Sequence, residues 1–285
     1  MWTHTLTDAG IGLRSPHLQA IIRDKPVIPW LEVHICNFLG GGLNRMLLHK
    51  IRENYPLSFH GVNLNLGGVD PLNQAYLLKL RQAVDEFQPA LVSEHVCFTS
   101  LQGHHFHDLL PIPYTATALQ LMAERIDQVQ TLLSRPILIE NVSRYIHYPE
   151  SEMSEAEFIA ALCKETGCGI LLDINNAYVN QQNLGIDVNE FLNSIPMDHV
   201  GEIHLAGFSE TDDGWLIDTH GSQISEPVWQ HYRQLCKNYP AIPCLIERDN
   251  NLPPLAELLQ EQAQAQRIIN QYKRKDTSNV YAARY

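Results

Sequence analysis

Six short apolar runs follow one another along the chain, and each ends on a side chain able to hold a metal ion: His60, His95, Glu140, Asp173, His204 and Glu247. A fold for this chain must either bury these groups one by one or bring them together. An unpaired carboxylate inside a protein is costly, whereas one cation neutralises several and takes up imidazole lone pairs. Taken singly, each residue is more often a satisfied polar group of a core. Six in order point to a fold that gathers the ends of its strands.

The spacing of the runs supplies such a fold. Strands are expected near 9–14, 30–36, 57–64, 91–98, 136–142, 169–175, 201–207 and 244–249. Helical patterns fall between them at Asn73 to Glu86, Ala116 to Leu133, Glu155 to Thr166, Asp187 to Asn193, Pro227 to Tyr239 and Pro254 to Tyr272. The Ser and Glu pattern in SEMSEAEF reads as a capped helix start. Alternation of this kind is the mark of βαβ units and a parallel sheet. Eight strands in 285 residues fit one α/β domain, a (β/α)8 TIM barrel. Residues 1–272 are expected to form the barrel, with a metal site at the C-terminal face of its strands, and 273–285 a polar C-terminal tail. In this fold the side chains at the carboxyl ends of the strands line one cavity, so residues distant in sequence converge there.

Asp218 and His220, in IDTHG, add a pair whose spacing lets both side chains point the same way from an extended loop. The set then exceeds what one ion takes, since a zinc site normally has four ligands, so two or three ions with a bridging carboxylate are implied. Asn176, three residues after Asp173, either completes a site or orients substrate. Asn141 and Asn175 are candidates for substrate hydrogen bonds, with loop capping as the alternative. Glu32 and His34 share one face of their strand and are read as a pair hydrogen-bonded within the core. His104, His105 and His107 form a His-rich tract read as solvated loop. The glycines of GVNLNLGG would let backbone approach a ligand, but they lack the nucleotide-binding spacings. The PIPYT segment at Tyr114 either walls the pocket or turns into a helix.

Composition removes several function classes. A net charge of -12 disfavours a phosphate-reading surface, so no nucleic acid is expected as partner. The first residues lack a basic segment followed by an apolar one, and no run reaches the length of a membrane span. A cytoplasmic protein with no membrane partner is the expectation. Cys36, Cys97, Cys163, Cys168, Cys236 and Cys244 are scattered without a CxxC pair, as buried free thiols are.

Imidazole and carboxylate suit iron, zinc or manganese. Zinc would serve hydrolysis or isomerisation by an activated water, iron would permit oxygen chemistry, and a protein that only binds metal would turn nothing over. The strings WLEVHICNFLGGG, LSFHGVNLNLGG, VSEHVCF, DLLPIPYT, ILIENVSRY, TGCGILLDINNAYVN, EIHLAGF, DTHGSQISEPVW and LIERDNNLPPL bear on this choice. Together, from about Gly10 to Leu259, they resemble the multinuclear non-heme iron-dependent oxidative enzymes, formerly an uncharacterised bacterial family. More distantly, the ligand order is similar to that of the endonuclease IV and xylose isomerase-like barrels. Where the endonuclease pattern has a His three residues after the strand-six Asp, this chain has Asn176.

The resemblance implies a TIM barrel holding two or three iron ions of mixed valence, and dioxygen as oxidant. It implies as substrate a ribosomally made precursor peptide, often modified at cysteine, and a companion protein that presents it. Carried over residue by residue, it implies one iron on His60, His95 and Glu140, with Glu140 bridging to a second on Asp173, His204 and Glu247. Asp218 and His220, with or without Asn176, would hold a third.

Overall fold

The computed structural model describes residues 6–282, and side chains as far as Lys273. Eight parallel strands close into a barrel: β1 (Ala9–Gly12), β2 (Leu31–His34), β3 (Leu57–His60), β4 (Leu91–His95), β5 (Leu138–Glu140), β6 (Gly169–Asp173), β7 (Val200–Leu205) and β8 (Cys244–Ile246). They follow chain order around the ring, and β8 pairs with β1 to close it. All eight expected strands are present, each shorter than its apolar run. The excess residues belong to the loops that carry the site.

The register explains why apolar and polar residues alternate along these strands. Paired residues on neighbouring strands face the same way, and successive residues face opposite ways. His34 is level with His60, His60 with Ser93, His95 with Glu140, and Asp173 with His204. The inward face is thus stacked in layers. At the bottom Trp30, Leu91, Leu138, Leu171 and Leu245 form an apolar cluster of their own. Glu32, Ser58 and Glu202 lie above it, and the histidines and acids of the strand ends form the top. The outward residues, among them Val33, Phe59, Ile139, Ile170, Leu172, Ile203 and Ile246, join the main core against the helices.

The described helices are α1 (Leu18–Asp24), α2 (Gly42–Arg52), α3 (Gln74–Phe87), α4 (Ala116–Leu133), α5 (Glu155–Thr166), α6 (Ile174–Leu184), α7 (Val188–Ser194), α8 (Glu226–Cys236) and α9 (Leu255–Ala282). Three of them, α1, α2 and α6, are absent from the sequence-based reading. The first two are short and flanked by glycine or proline, which hides their period. α6 begins immediately after β6, because Asp173 ends the strand and caps the helix by accepting from the Asn176 amide. The start of α5 is as expected: Ser154 and Glu157 form a full capping box.

Two hairpins sit outside the barrel: Phe98–Leu101 with His104–Leu110, and Ser209–Glu210 with Leu216–Ile217. The first carries His104, His105 and His107, all exposed. The second delivers the chain to Asp218 and His220. All six cysteines are free; five are buried and Cys36 is half-buried. Of the terminal segment 273–285, the helical backbone is described to Ala282, whereas the side chains from 274 and residues 283–285 lie outside the described residues. Among the described residues no helix is long and apolar enough to cross a membrane.

Candidate metal centre

The strand ends bring His60, His95, Glu140, Asp173, His204 and Glu247 into one buried cluster, which His220 and Asp218 join from the loop after β7. Two carboxylates stand at its centre. Glu140 Oε2 lies 3.0 Å from His95 Nε2 and 3.4 Å from His60 Nε2, and Oε1 lies 3.7 Å from His204 Nδ1. Glu247 Oε2 lies 2.8 Å from His204 Nδ1 and 3.3 Å from His220 Nδ1. Asp218 Oδ1 is 2.6 Å from His220 Nε2. Donor atoms gather within 4.8 Å of one another in His60, Glu140 and His204, and again in Asp173, His220 and Glu247. His220 is therefore grouped with Asp173 and Glu247 as well as with Asp218.

Several close contacts are not hydrogen bonds. Glu140 Oε2, Asp173 Oδ2, Asn176 Oδ1, His204 Nδ1, His220 Nε2 and Glu247 Oε2 are buried and find no aligned partner in the protein. An unsatisfied buried polar atom costs about 1–3 kcal/mol, so a cluster of lone pairs aimed into one space calls for a cation. The donor set fits multinuclear metal binding by this test.

The imidazoles are prepared for it. His60 Nδ1 donates to Ser93 Oγ at 2.7 Å, and Ser93 in turn donates to the Phe59 carbonyl. His95 Nδ1 donates to the Gly61 carbonyl at 3.0 Å and lies 3.2 Å from Glu94 Oε1. Both rings then turn Nε2 toward Glu140, the nitrogen that would bind an ion once any proton on it has left. His204 is turned the other way: Nε2 donates to Glu32 at 2.9 Å and Nδ1 faces the cluster. Hydrogen bonds of this kind fix the tautomer and orientation of a ligating histidine.

The electrostatics describe the same arrangement without a bound ion. Burial opposes charge on His95, His204 and His220, yet their carboxylate neighbours hold all three well above the ordinary imidazole value: Glu140 for His95, Glu32 for His204 and Asp218 for His220. Burial, then the neighbouring His95, pushes His60 well below it. Burial and the nearby Glu140 push Asp173 well up. For Glu247, His204 and His220 overcome the effect of burial and hold it well below the carboxylate range. Burial raises Glu32 to about 8 despite His204. Protons and carboxylates compensate one another here, as metal ions and carboxylates would.

The three asparagines differ. Asn141 accepts from the Asp173 amide and donates to its carbonyl, both at 2.9 Å, so its side chain extends the sheet and sets the backbone of Asp173. Asn175 donates to Asp218 Oδ1 at 2.8 Å and leaves its own Oδ1 without a partner. Asn176 donates to the Asn141 carbonyl at 3.0 Å and leaves its own buried Oδ1 without a partner. The glycines after His60 turn out to approach protein atoms: a Cβ on Gly61 would meet Glu94 at 2.9 Å, and one on Gly67 the Cys97 carbonyl at 2.8 Å. Tyr114 is buried against Phe158 and Arg144. His220 has φ +46°, an uncommon backbone for a non-glycine, and its carbonyl accepts from the Asp249 amide at 2.9 Å.

Residues 8–270 match the family described as RiPP precursor modification enzyme MbnB/TglH/ChrH. The chain belongs to this family. Similar proteins include a UPF0276 protein of Acaryochloris marina, 46% identical over 265 residues, which are 93% of this chain and 96% of that one. A UPF0276 protein of Chromobacterium violaceum is 46% identical over 260 residues, 91% and 94% of the two chains. Solved structures of similar shape include endonuclease IV from Thermus thermophilus, with TM-score 0.57, 13% identity and 94% and 99% of the chains covered. A D-psicose 3-epimerase has TM-score 0.57, 13% identity and coverage of 90% and 96%. At such identities the likeness shows the fold alone, a TIM barrel.

Around this centre stand residues that sequence reasoning missed or set aside. Glu32 and His34 reach the site because a period of two puts them on the inward face of β2. Asp249, two residues after Glu247, shares its face and lies 3.3 Å from His220 Nδ1. That period was the signal available for both. Arg14, two residues beyond β1, gave none.

Proposed function

We propose that this protein is a multinuclear non-heme iron, O2-dependent oxidase that modifies a ribosomally synthesised precursor peptide at cysteine, working with a companion protein that presents the peptide. The observation that carries the reading is the gathering of buried, unpartnered nitrogen and oxygen lone pairs in one cluster, in a member of a family of RiPP precursor modification enzymes. In this assignment His60, His95 and Glu140 would hold one ion, and Asp173, His204 and Glu247, sharing Glu140, a second. Asp218 and His220, with or without Asn176, would hold a third. Iron bound there would supply a binding position for the substrate thiolate and electrons for dioxygen.

The chain's own residues account for the rest. Ser93, Gly61 and Glu32 fix which imidazole nitrogen faces the cavity, and Asn141 holds the backbone of Asp173. Asn175 donates to Asp218 and so positions that carboxylate, and its own buried oxygen is the candidate for a substrate hydrogen bond. The apolar floor of Trp30 and the leucines below the acids keeps water from entering beneath. Protein purified without oxygen tests the proposal by elemental mass spectrometry and Mössbauer spectroscopy. Two or three irons per chain with a coupled mixed-valence signal are expected. Stoichiometric zinc after iron-replete expression would overturn it in favour of a hydrolase or isomerase, and iron without peptide turnover would leave a protein that only binds metal.

A further inference from the structure

β1 is the barrel strand that offers no metal donor at the mouth. Its inward positions are Gly10 and Gly12, level with Leu245 and Glu32. The indole of Trp30 takes the space at Gly10, and Arg14, which is 7% exposed, takes the space at Gly12. A Cβ on Gly12 would lie 2.9 Å from Arg14 Nη1 and 3.1 Å from Cζ, so the missing side chain is what admits the guanidinium.

The surroundings of that guanidinium are those of a metal ion. Nη2 lies 3.2 Å from Glu247 Oε1 and 3.2 Å from His34 Nε2, and Nε donates to Asp249 Oδ1 at 2.8 Å. Because a guanidinium only donates, His34 must present Nε2 to it as a lone pair. His34 Nε2 is also 3.3 Å from Glu247 Oε1 and 3.8 Å from Asp249 Oδ1. The 3.3 Å contact is close to the spacing of two ligands about 2.0 Å from one tetrahedral ion. The donor atoms of His34, His60 and Glu247 lie within 4.8 Å of one another. Three acceptors crowded together would repel without a positive charge among them, and Arg14 is that charge.

We propose that the Arg14 guanidinium is a tethered cation standing where His34, Glu247 and Asp249 would otherwise bind a further metal ion, and that it thereby limits how many ions the centre holds. The same contacts leave Glu247 Oε2 for the metal cluster, since Oε1 is engaged by Arg14. Through Asp249, Arg14 also braces the Nδ1 side of His220. The inference rests on the metal-binding part of the proposed function and on neither the identity of the metal nor the peptide.

The test is the number of Fe(II) ions bound per chain under anaerobic conditions, from elemental analysis and titration calorimetry, in the wild type and in Arg14→Ala and Arg14→Gln. Each folded variant is expected to bind one more ion than the wild type. Free guanidinium chloride should displace that ion, and the double variant Arg14→Ala/His34→Ala should lose it. His34→Ala alone should keep the wild-type count. An unchanged or smaller count in the Arg14 variants overturns the proposal, as does loss of an ion in His34→Ala. A wild type that binds no metal would instead defeat the proposed function.

Discussion

His204 has two ring nitrogens committed to opposite tasks: Nε2–H donates to Glu32 at 2.9 Å, and Nδ1 lies 2.8 Å from Glu247 Oε2. Removing the acceptor frees the ring to turn and to change tautomer. Loss of such a hydrogen bond typically weakens metal binding about 10–100-fold. Glu32→Ala should therefore bind metal more weakly by about that factor in a chelator-competition titration, with the fold intact by circular dichroism; unchanged affinity would show that Glu32 does not set the ring. Glu140→Ala goes further, since two oxygens shared among His60, His95 and His204 disappear together. Its metal content should fall along with turnover, and a variant that kept both would defeat the assignment. At this scale the sequence singled out the candidate ligands, which the fold brings together, and concealed the residues around them. His60 and Glu247 end apolar runs and stand out, whereas Ser93 and Asp249 look like ordinary strand and loop residues. Arg14 was invisible because its role depends on Gly12, on a strand without ligands, leaving room for it.

The elements were legible where one period dominates. β3 reads Leu, Ser, Phe, His, and the structure turns Ser58 and His60 inward and Phe59 outward. Strand ends were overestimated because apolar residues continue past them, as Val96, Cys97 and Phe98 do after β4, and at Asp173 the strand passes directly into a helix. The α5 cap was readable because its residue types have one local use. Ser154 accepts from the Glu157 amide, and Glu157 reaches back to the Ser154 amide at 2.8 Å. Ser154→Ala should cost about 1 kcal/mol, seen as a lower urea midpoint at unchanged slope. Gly10 makes a sharper case. A Cβ there would lie 2.5 Å from the buried indole of Trp30, inside the closed ring of strands. Overpacking of a core costs about 1–3 kcal/mol, so Gly10→Ala should destabilise by that much and shift the emission of Trp30. Wild-type stability in this variant would mean that the barrel floor is loosely packed.

For the whole molecule, the core against the helices and the polar top of the barrel are separate sources of stability. The first consists of aliphatic and aromatic side chains that need no metal, so the metal-free barrel should stay folded. The second depends on what neutralises its acids. In metal-free protein His95, His204 and His220 hold protons above the ordinary imidazole value. A group whose folded value is raised adds stability that is complete below its unfolded value, about 6.5, and is lost as pH rises through the folded one. Asp173, also raised, acts in the same direction. His60, lowered, acts oppositely but only below about 6.5, and Glu247, lowered, only in acid. Between pH 7 and 9 metal-free protein should therefore lose stability. Metal binding has the opposite slope, because the ligands must shed those protons before an ion can enter. An ion at a hundred times its Kd adds about 2.7 kcal/mol, and that increment grows as the protons leave. The difference in Tm between metal-loaded and chelator-treated protein should thus widen from pH 7 to 9 in differential scanning calorimetry. A constant or narrowing difference would mean that protons and metal ions do not compete for these side chains, and the cluster would have to be read as a hydrogen-bonded core.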